Sequence, residues 1–198
     1  MPSIDRRSLV LLLLGVRPDG TISEGLGGIT RLQKFLYLLE KEENLTPSAN
    51  GFDFLAYKAG PYSSKLYDDL EFLENLGFLH SEVAAETTPA EAAEVDLLSF
   101  DELMGDSSDS SSDDPADGMG AADAYEERRY VLTEDGKKKI EGLIDSGEYE
   151  PVVMGIRRIK SKFGNHSLSD LLYYVYTKYP EMTVESEIKD QVLRKRRG

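Results

Sequence analysis

The stretch from Gly51 to Leu79, GFDFLAYKAGPYSSKLYDDLEFLENLGFL, constrains the fold of this chain more than any other. Phe52, Phe54 and Ala56 alternate as on a half-buried strand, Gly60 and Pro61 break the run, and Ser63 and Ser64 stand where a helix cap belongs. Leu66, Leu70, Leu73 and Leu76 then recur at helical spacing up to the terminator Gly77. The expected helix spans about Ser63 to Leu76 and turns Lys65, Asp68, Asp69, Glu71 and Glu74 toward water, a net acidic outer face. Phe78 to Val83 reads as the start of a strand.

Strand, turn, helix and strand make half of a winged helix, and Arg128 to Thr133, beyond a long acidic insertion, supplies the returning strand. The expected fold is therefore mainly α with a small antiparallel β wing. Residues 1–80 and 126–147 form a winged helix-turn-helix domain, 81–125 an insertion between the wing strands, and 148–198 a C-terminal helical extension. Ser81 to Glu127 holds 15 of the 37 acidic residues and none of the 23 bases, which leaves 22 acids against 23 bases elsewhere. The net charge of −14 thus belongs to the insertion, and the remainder is nearly neutral. GDSSDSSSDDPADGMG at Gly105 to Gly120 has too few large apolar side chains to offset its ordering entropy, so the insertion is expected to be largely disordered. Within it, Leu97, Leu98, Phe100 and Leu103 belong to an apolar island that suits a short helix docked on its own domain, a partner-binding segment, or no role at all.

Local signals place the other helices. The first runs from about Ile4 to Leu14, with Ser3 or Asp5 near its cap and Gly15 at its end. A loop with Gly20, Gly25, Gly27 and Gly28 follows, and Thr30 with Gln33 reads as a capping box ahead of the stripe Leu32, Phe35, Leu36 and Leu39. Thr133 caps a helix that ends near Gly147, Pro151 and Gly164 bracket another, and Ser167 with Asp170 caps a third that Pro180 stops. A last helix is expected from about Thr183 to Arg194-Lys195-Arg196-Arg197. Leu168, Leu171, Leu172, Val175 and Tyr179, widened by Tyr173, Tyr174 and Tyr176, suit either a homodimer interface or the monomer core.

Composition removes several functions. Cysteine is absent, so there is neither a disulfide framework nor thiolate chemistry, and no run approaches the ~18 apolar residues needed to span a bilayer. Arg6-Arg7 ahead of Leu9 to Leu14 has the look of a twin-arginine signal, but the apolar run is short and no small-residue cleavage site follows. A cytoplasmic protein with no membrane association is expected. His80 and His166 are isolated and outside metal-ligand spacing, and no nucleophile elbow, Walker loop or dinucleotide fingerprint occurs. Aligning Asp117-Gly118 with an EF-hand puts Pro115 and Ala124 where ligands are needed. No catalytic residue, metal or cofactor is expected, and the chain reads as non-enzymatic.

GITRLQKFLYLLEKE followed by FLAYKAGPYSSKLYDDLEFLENLGFL resembles the YwgA-like family of small prokaryotic winged-helix proteins, through its leucine-glutamine-lysine helix and its tyrosine-x-x-glycine-proline-tyrosine-serine turn. The same arrangement is weakly similar to the Panacea (SocA-like) antitoxin domain. The likeness covers about Ile4 to Leu79 and the tail YVLTEDGKKKIEGLI, and it implies the fold while saying little of targets. The acidic insertion and LLYYVYTKYPEMTVESEI depart from it.

In an ordinary winged helix the third helix enters the major groove and the wing touches phosphates. The cations offered for double-stranded DNA are Arg31, Lys34, Lys65, Arg128, Arg129, Arg157, Arg158 and Lys160, joined by Lys137 to Lys139 and Lys162. Against them stand the carboxylates of the third helix, which a polyanion repels. Two functions remain: a DNA-binding transcriptional regulator, or a protein-interaction module of antitoxin or adaptor type on the same fold. For the second, Leu97, Leu98, Phe100 and Leu103 are the partner-binding residues offered. The insertion is either an intramolecular mimic of DNA or a solubilising loop.

Overall fold

The computed structural model describes residues 4–23, 25–47, 51–83 and 128–194. The expectations placed on the insertion, on its Leu97, Leu98, Phe100 and Leu103 island and on Lys195 to Arg197 lie outside these residues.

Six consecutive leucine or valine positions, Leu9 to Leu14, are fully buried or nearly so, which makes the first helix the axis of the molecule. This helix, α1 (Arg6–Gly15), starts where the Asp5 carboxylate accepts the Ser8 N–H at 3.0 Å. A stripe of apolar residues on one face would leave the other face wet; here every face is covered. After α1 come β1 (Gly25–Gly27), α2 (Ile29–Glu42), β2 (Leu55–Tyr57), β3 (Gly60–Tyr62), α3 (Lys65–Asn75), β4 (Leu79–Val83) and β5 (Arg128–Leu132). The chain continues through α4 (Glu134–Asp145), α5 (Glu150–Phe163), α6 (Leu168–Lys178), a 3-10 turn (Pro180–Thr183) and α7 (Lys189–Arg194). Helices α3, α4 and α5 and strands β1 and β5 all pack on α1. The protein is thus mainly helical with a small antiparallel sheet.

That sheet has the order β1-β5-β4, with Leu79 opposite Leu132 and Gly25 opposite Val131. The pairing of β4 with β5 across the insertion is the expected one. The strand expected at Phe52 to Ala56 is displaced: residues 55–57 pair instead with Gly60-Pro61-Tyr62, the segment that reads as a breaker, in a separate hairpin. Pro61 is tolerated because the hairpin is short and needs no ladder donor at that position. The third member of the sheet comes from the glycine loop. A Cβ on Gly25 would lie 2.1 Å from the Tyr130 carbonyl oxygen, so only glycine lets β1 approach β5.

Besides Asp5, two expected caps form and two do not. Thr133 Oγ1 accepts the Gly136 N–H at 3.1 Å and Ser167 Oγ accepts the Asp170 N–H at 3.0 Å. The Thr30 and Gln33 box is absent, because α2 begins at Ile29 behind Gly28 (φ +58) and Gln33 is used elsewhere. Ser63 and Ser64 likewise make no side-chain cap for α3. Asp69 is buried rather than turned to water, whereas Leu76, beyond the last turn of α3, is 53% exposed. The last helix is also shorter than expected, a 3-10 turn at Pro180–Thr183 preceding α7.

The C-terminal helices share the core of the rest. Val152, Ile156, Ile159 and Phe163 of α5 and Leu171, Leu172, Val175 and Tyr176 of α6 join the leucines of α1 in one apolar cluster. Each such side chain contributes roughly 1.5–3 kcal/mol on burial. The tyrosine-rich stripe is occupied within the chain itself, with Tyr179 meeting Tyr37 edge-on at 5.1 Å. No helix among the described residues is long and apolar enough to cross a membrane.

Candidate functional site

The hairpin β2–β3 has two sides, and α2 holds the inner one. Gln33 clamps the backbone of Ser63 in both directions: its Nε2 donates to Ser63 O at 3.1 Å and its Oε1 accepts the Ser63 N–H at 2.9 Å. Beside it, Lys34 Nζ donates to Pro61 O at 3.1 Å, and Ser63 Oγ donates to Phe52 O. All three side chains are buried. Buried backbone groups in an irregular turn need partners, and one helix turn of α2 supplies several of them. The turn itself requires Gly60, whose φ is +88 and whose hydrogen faces the Tyr176 ring; a Cβ there would come within 2.9 Å of Tyr176 Cε1. On the far side of the turn, Lys58 O accepts from Glu187 N at 3.2 Å and from Ser186 Oγ at 2.9 Å.

The outer side is aromatic and acidic. The Tyr57 and Tyr62 rings lie 4.8 Å apart between centroids, and Tyr62 and Tyr67 5.9 Å apart, so the hairpin and the first turns of α3 present one row of three rings. Leu55 (68% exposed), Tyr67 (37%), Phe72 (39%) and Leu76 (53%) are large apolar side chains left at the surface. Asp68 and Glu71 are exposed among them. The only lysine of α3, Lys65, is tied back to the Asp53 carboxylate and to Gly51 O. Under the helix, the buried Asp69 carboxylate takes Arg6 Nε at 2.6 Å and Arg7 Nε at 3.2 Å, and the Arg7 guanidinium covers the Phe72 ring at 3.5 Å. Both arginines of α1 are thereby committed at the seam with α3.

The cations expected to touch DNA scatter, and two of them are corrected outright. Lys34 is 1% exposed and Lys160 6% exposed, so neither presents charge to a ligand. Lys160 Nζ points at Leu14 O at 3.4 Å, and burial, reinforced by Arg17, pushes its pKa down to about 8. Arg31 Nη1 donates to His166 O at 2.9 Å. Arg157 Nε donates to Pro18 O at 3.0 Å, and Arg158 forks onto the Glu43 carboxylate, with Nε at 2.9 Å. Arg129 is exposed on β5, opposite Gly27 and Glu82; of Arg128 the structure describes the backbone alone. What does converge is Arg157, Arg158 and Lys162 of α5, which with Pro18, Met154 and Ser161 line a shallow depression of about 480 Å³.

Lys162 belongs to a second network at the end of α2. Tyr174 Oη donates to Glu42 at 2.6 Å while Lys162 and Lys178 each approach the same carboxylate at 2.9 Å. Burial opposes the charge on Glu42, but the bonds from Tyr174, Lys178 and Lys162 together hold its pKa below the ordinary value. Lys178 is shifted upward by the same tyrosine and carboxylate. This cluster pins α5 and α6 to α2.

His80 Nε2 lies 2.7 Å from Glu82 on the sheet surface, and His166 stands beside Phe163. Among the described residues no group of three or more histidine, aspartate or glutamate side chains could hold a metal ion. No protein-family model, curated protein or solved structure matches the chain.

Reading residue types at helical spacing missed the outer face of the hairpin. Leu55, Tyr57, Tyr62, Tyr67 and Phe72 carry it, and the signal was present: three tyrosines at intervals of five residues, each off the leucine stripe that α3 buries.

Proposed function

We propose that this chain is a protein-interaction module on a winged-helix scaffold, docking a protein partner on β2–β3 and the outer face of α3. The scaffold reading draws support from the element order, in which α1, α2 and α3 precede a two-stranded β4–β5 wing and β1 closes the sheet against β5. One observation carries the functional reading. The helix that would read base edges presents Tyr67, Asp68, Glu71 and Phe72, with Leu76 just beyond it, and its single lysine is bound to Asp53. Exposed aromatics are enriched at protein interfaces, whereas carboxylates facing phosphates are repelled. An antitoxin-like or adaptor role, binding without catalysis, fits such a face.

A DNA-binding regulator is the second reading, favoured by exposed Arg129 on β5 and by the Arg157, Arg158 and Lys162 depression. Fluorescence anisotropy of mixed-sequence duplex DNA with the full chain over a salt series separates the two. Expected is no duplex binding that α3 controls, with Lys65→Ala and Arg129→Ala leaving any residual affinity unchanged. Wild-type binding that weakens linearly in log salt and is abolished by Lys65→Ala or Arg129→Ala would reject the protein-docking reading in favour of DNA.

A further inference from the structure

We propose that the depression on α5 binds a small phosphate monoester, whose phosphoryl group meets Arg157, Arg158, Ser161 and Lys162 while its body lies against Pro18 and Met154. The site shares no residue with the docking face of α3, so its failure would leave that reading untouched. Helical spacing builds it. Positions 157 and 161, and positions 158 and 162, each lie one turn apart, which gathers three cations and a hydroxyl on one face of α5. Together with Pro18 and Met154 they line a single depression of about 480 Å³, within the size range of small-molecule sites.

Each cation is engaged by only part of its donors. A guanidinium carries five N–H groups and an ammonium three. Arg157 gives Nε to Pro18 O at 3.0 Å and lays Nη1 3.9 Å from the Met154 sulfur, which leaves Nη2 without a partner among the described residues. Its guanidinium also packs on Gly20 (φ +91), where a Cβ would stand 3.6 Å from Cζ. Arg158 gives Nε and Nη2 to Glu43 and keeps Nη1, and Lys162 serves Glu42 and Tyr174 and keeps a third hydrogen. The exposed Ser161 hydroxyl has no partner among the described residues. The existing bonds hold the long side chains in place, so less rotamer freedom is lost when an anion arrives.

Charge and shape select the ligand. A phosphoryl dianion brings three terminal oxygens to these donors where a carboxylate brings two, and arginine and lysine are its usual companions. Pro18 and the partly exposed Met154 add an apolar floor. Glu42 and Glu43 border the same face through their bonds to Lys162 and Arg158, which confines the positive charge to the depression and disfavours an extended polyanion.

Isothermal titration calorimetry of the full chain tests the site, with AMP as the phosphate monoester, adenosine as the body alone and inorganic phosphate as the anion alone. AMP is expected to bind about tenfold more tightly than either. Arg157→Ala should weaken AMP binding about tenfold, and Ser161→Ala, which breaks no bond among the described residues, about threefold. Arg194→Ala on α7 removes the same charge elsewhere and should change the affinity less than about twofold. No binding of AMP, or equal binding of AMP and adenosine, would overturn the proposal. Equal losses in Arg157→Ala and Arg194→Ala would overturn it too, because affinity would then follow net charge. Inorganic phosphate bound as tightly as AMP would overturn the place given to Pro18 and Met154. Duplex DNA without terminal phosphates, bound more tightly than AMP and released by Arg157→Ala, would assign the depression to nucleic acid instead.

Discussion

The two sides of the Gly60-Pro61 hairpin are made from neighbouring residues of one short segment and behave oppositely. On the inner side, Gln33, Lys34 and Ser63 are buried and spend their polar atoms on backbone groups of the turn. On the outer side, Tyr57, Tyr62 and Tyr67 stack in a row next to exposed Leu55, Asp68 and Glu71.

This contrast separates stability from binding, and substitutions should divide accordingly. Gln33→Ala should have the largest effect, a loss of about 3 kcal/mol in urea denaturation followed by far-UV circular dichroism. It strands both the N–H and the carbonyl of Ser63 in a buried site, at roughly 1–3 kcal/mol each. Gly60→Ala should cost about 2 kcal/mol, because φ +88 is unfavourable for any side chain and the new methyl meets Tyr176. A much smaller loss in Gln33→Ala would mean that α2 does not hold the hairpin, and one in Gly60→Ala that the turn accommodates a methyl against Tyr176.

Lys160 sharpens the same contrast for cations. Its amine is buried with a pKa pushed down to about 8, below the ordinary 10.5, so at neutral pH the folded state keeps a charge that burial disfavours. Lys160→Met should therefore raise stability at pH 7 by on the order of 2 kcal/mol. Between about pH 8 and 10.5 the unfolded chain holds a proton that the folded chain has released, so the wild type gains stability as pH rises. The advantage of Lys160→Met should shrink across that window and stay constant below it, as read from paired denaturation curves. An exposed member of the offered cations behaves differently: Arg158→Ala removes a surface pair with Glu43 and should cost about 0.5 kcal/mol or less, with no dependence on pH in that window. On the outer side, Tyr67→Ala should cost about 0.5 kcal/mol and act on binding.

The helices were legible where their ends are written locally. Asp5, Thr133, Pro151, Gly164, Ser167 and Gly77 mark termini that depend on residues three or four positions away, and the structure places them so. Features set by distant partners were not. Gln33 has a local partner in Thr30 and a tertiary one in Ser63, and the buried turn takes it because its backbone has fewer alternatives. The strand Gly25–Gly27 shows no apolar alternation and exists only because Tyr130 lies within reach. Asp69 reads as a solvent carboxylate until Arg6 and Arg7 are found above it. Lys34 and Lys160 read as surface charges by residue type, and the candidate site went unseen because tyrosines at intervals of five belong to neither a helical nor a strand repeat.

Amide hydrogen exchange over residues 51–76, compared among wild type, Gln33→Ala and Tyr67→Ala, tests the division between the two sides most directly. The expected result is faster exchange through the hairpin and the start of α3 in Gln33→Ala, the Ser63 amide first, with Tyr67→Ala indistinguishable from wild type. Unchanged protection of Ser63 in Gln33→Ala, or loosening of the segment by Tyr67→Ala to the same degree, would contradict a buried clamp that holds the turn and an outer aromatic row that does not.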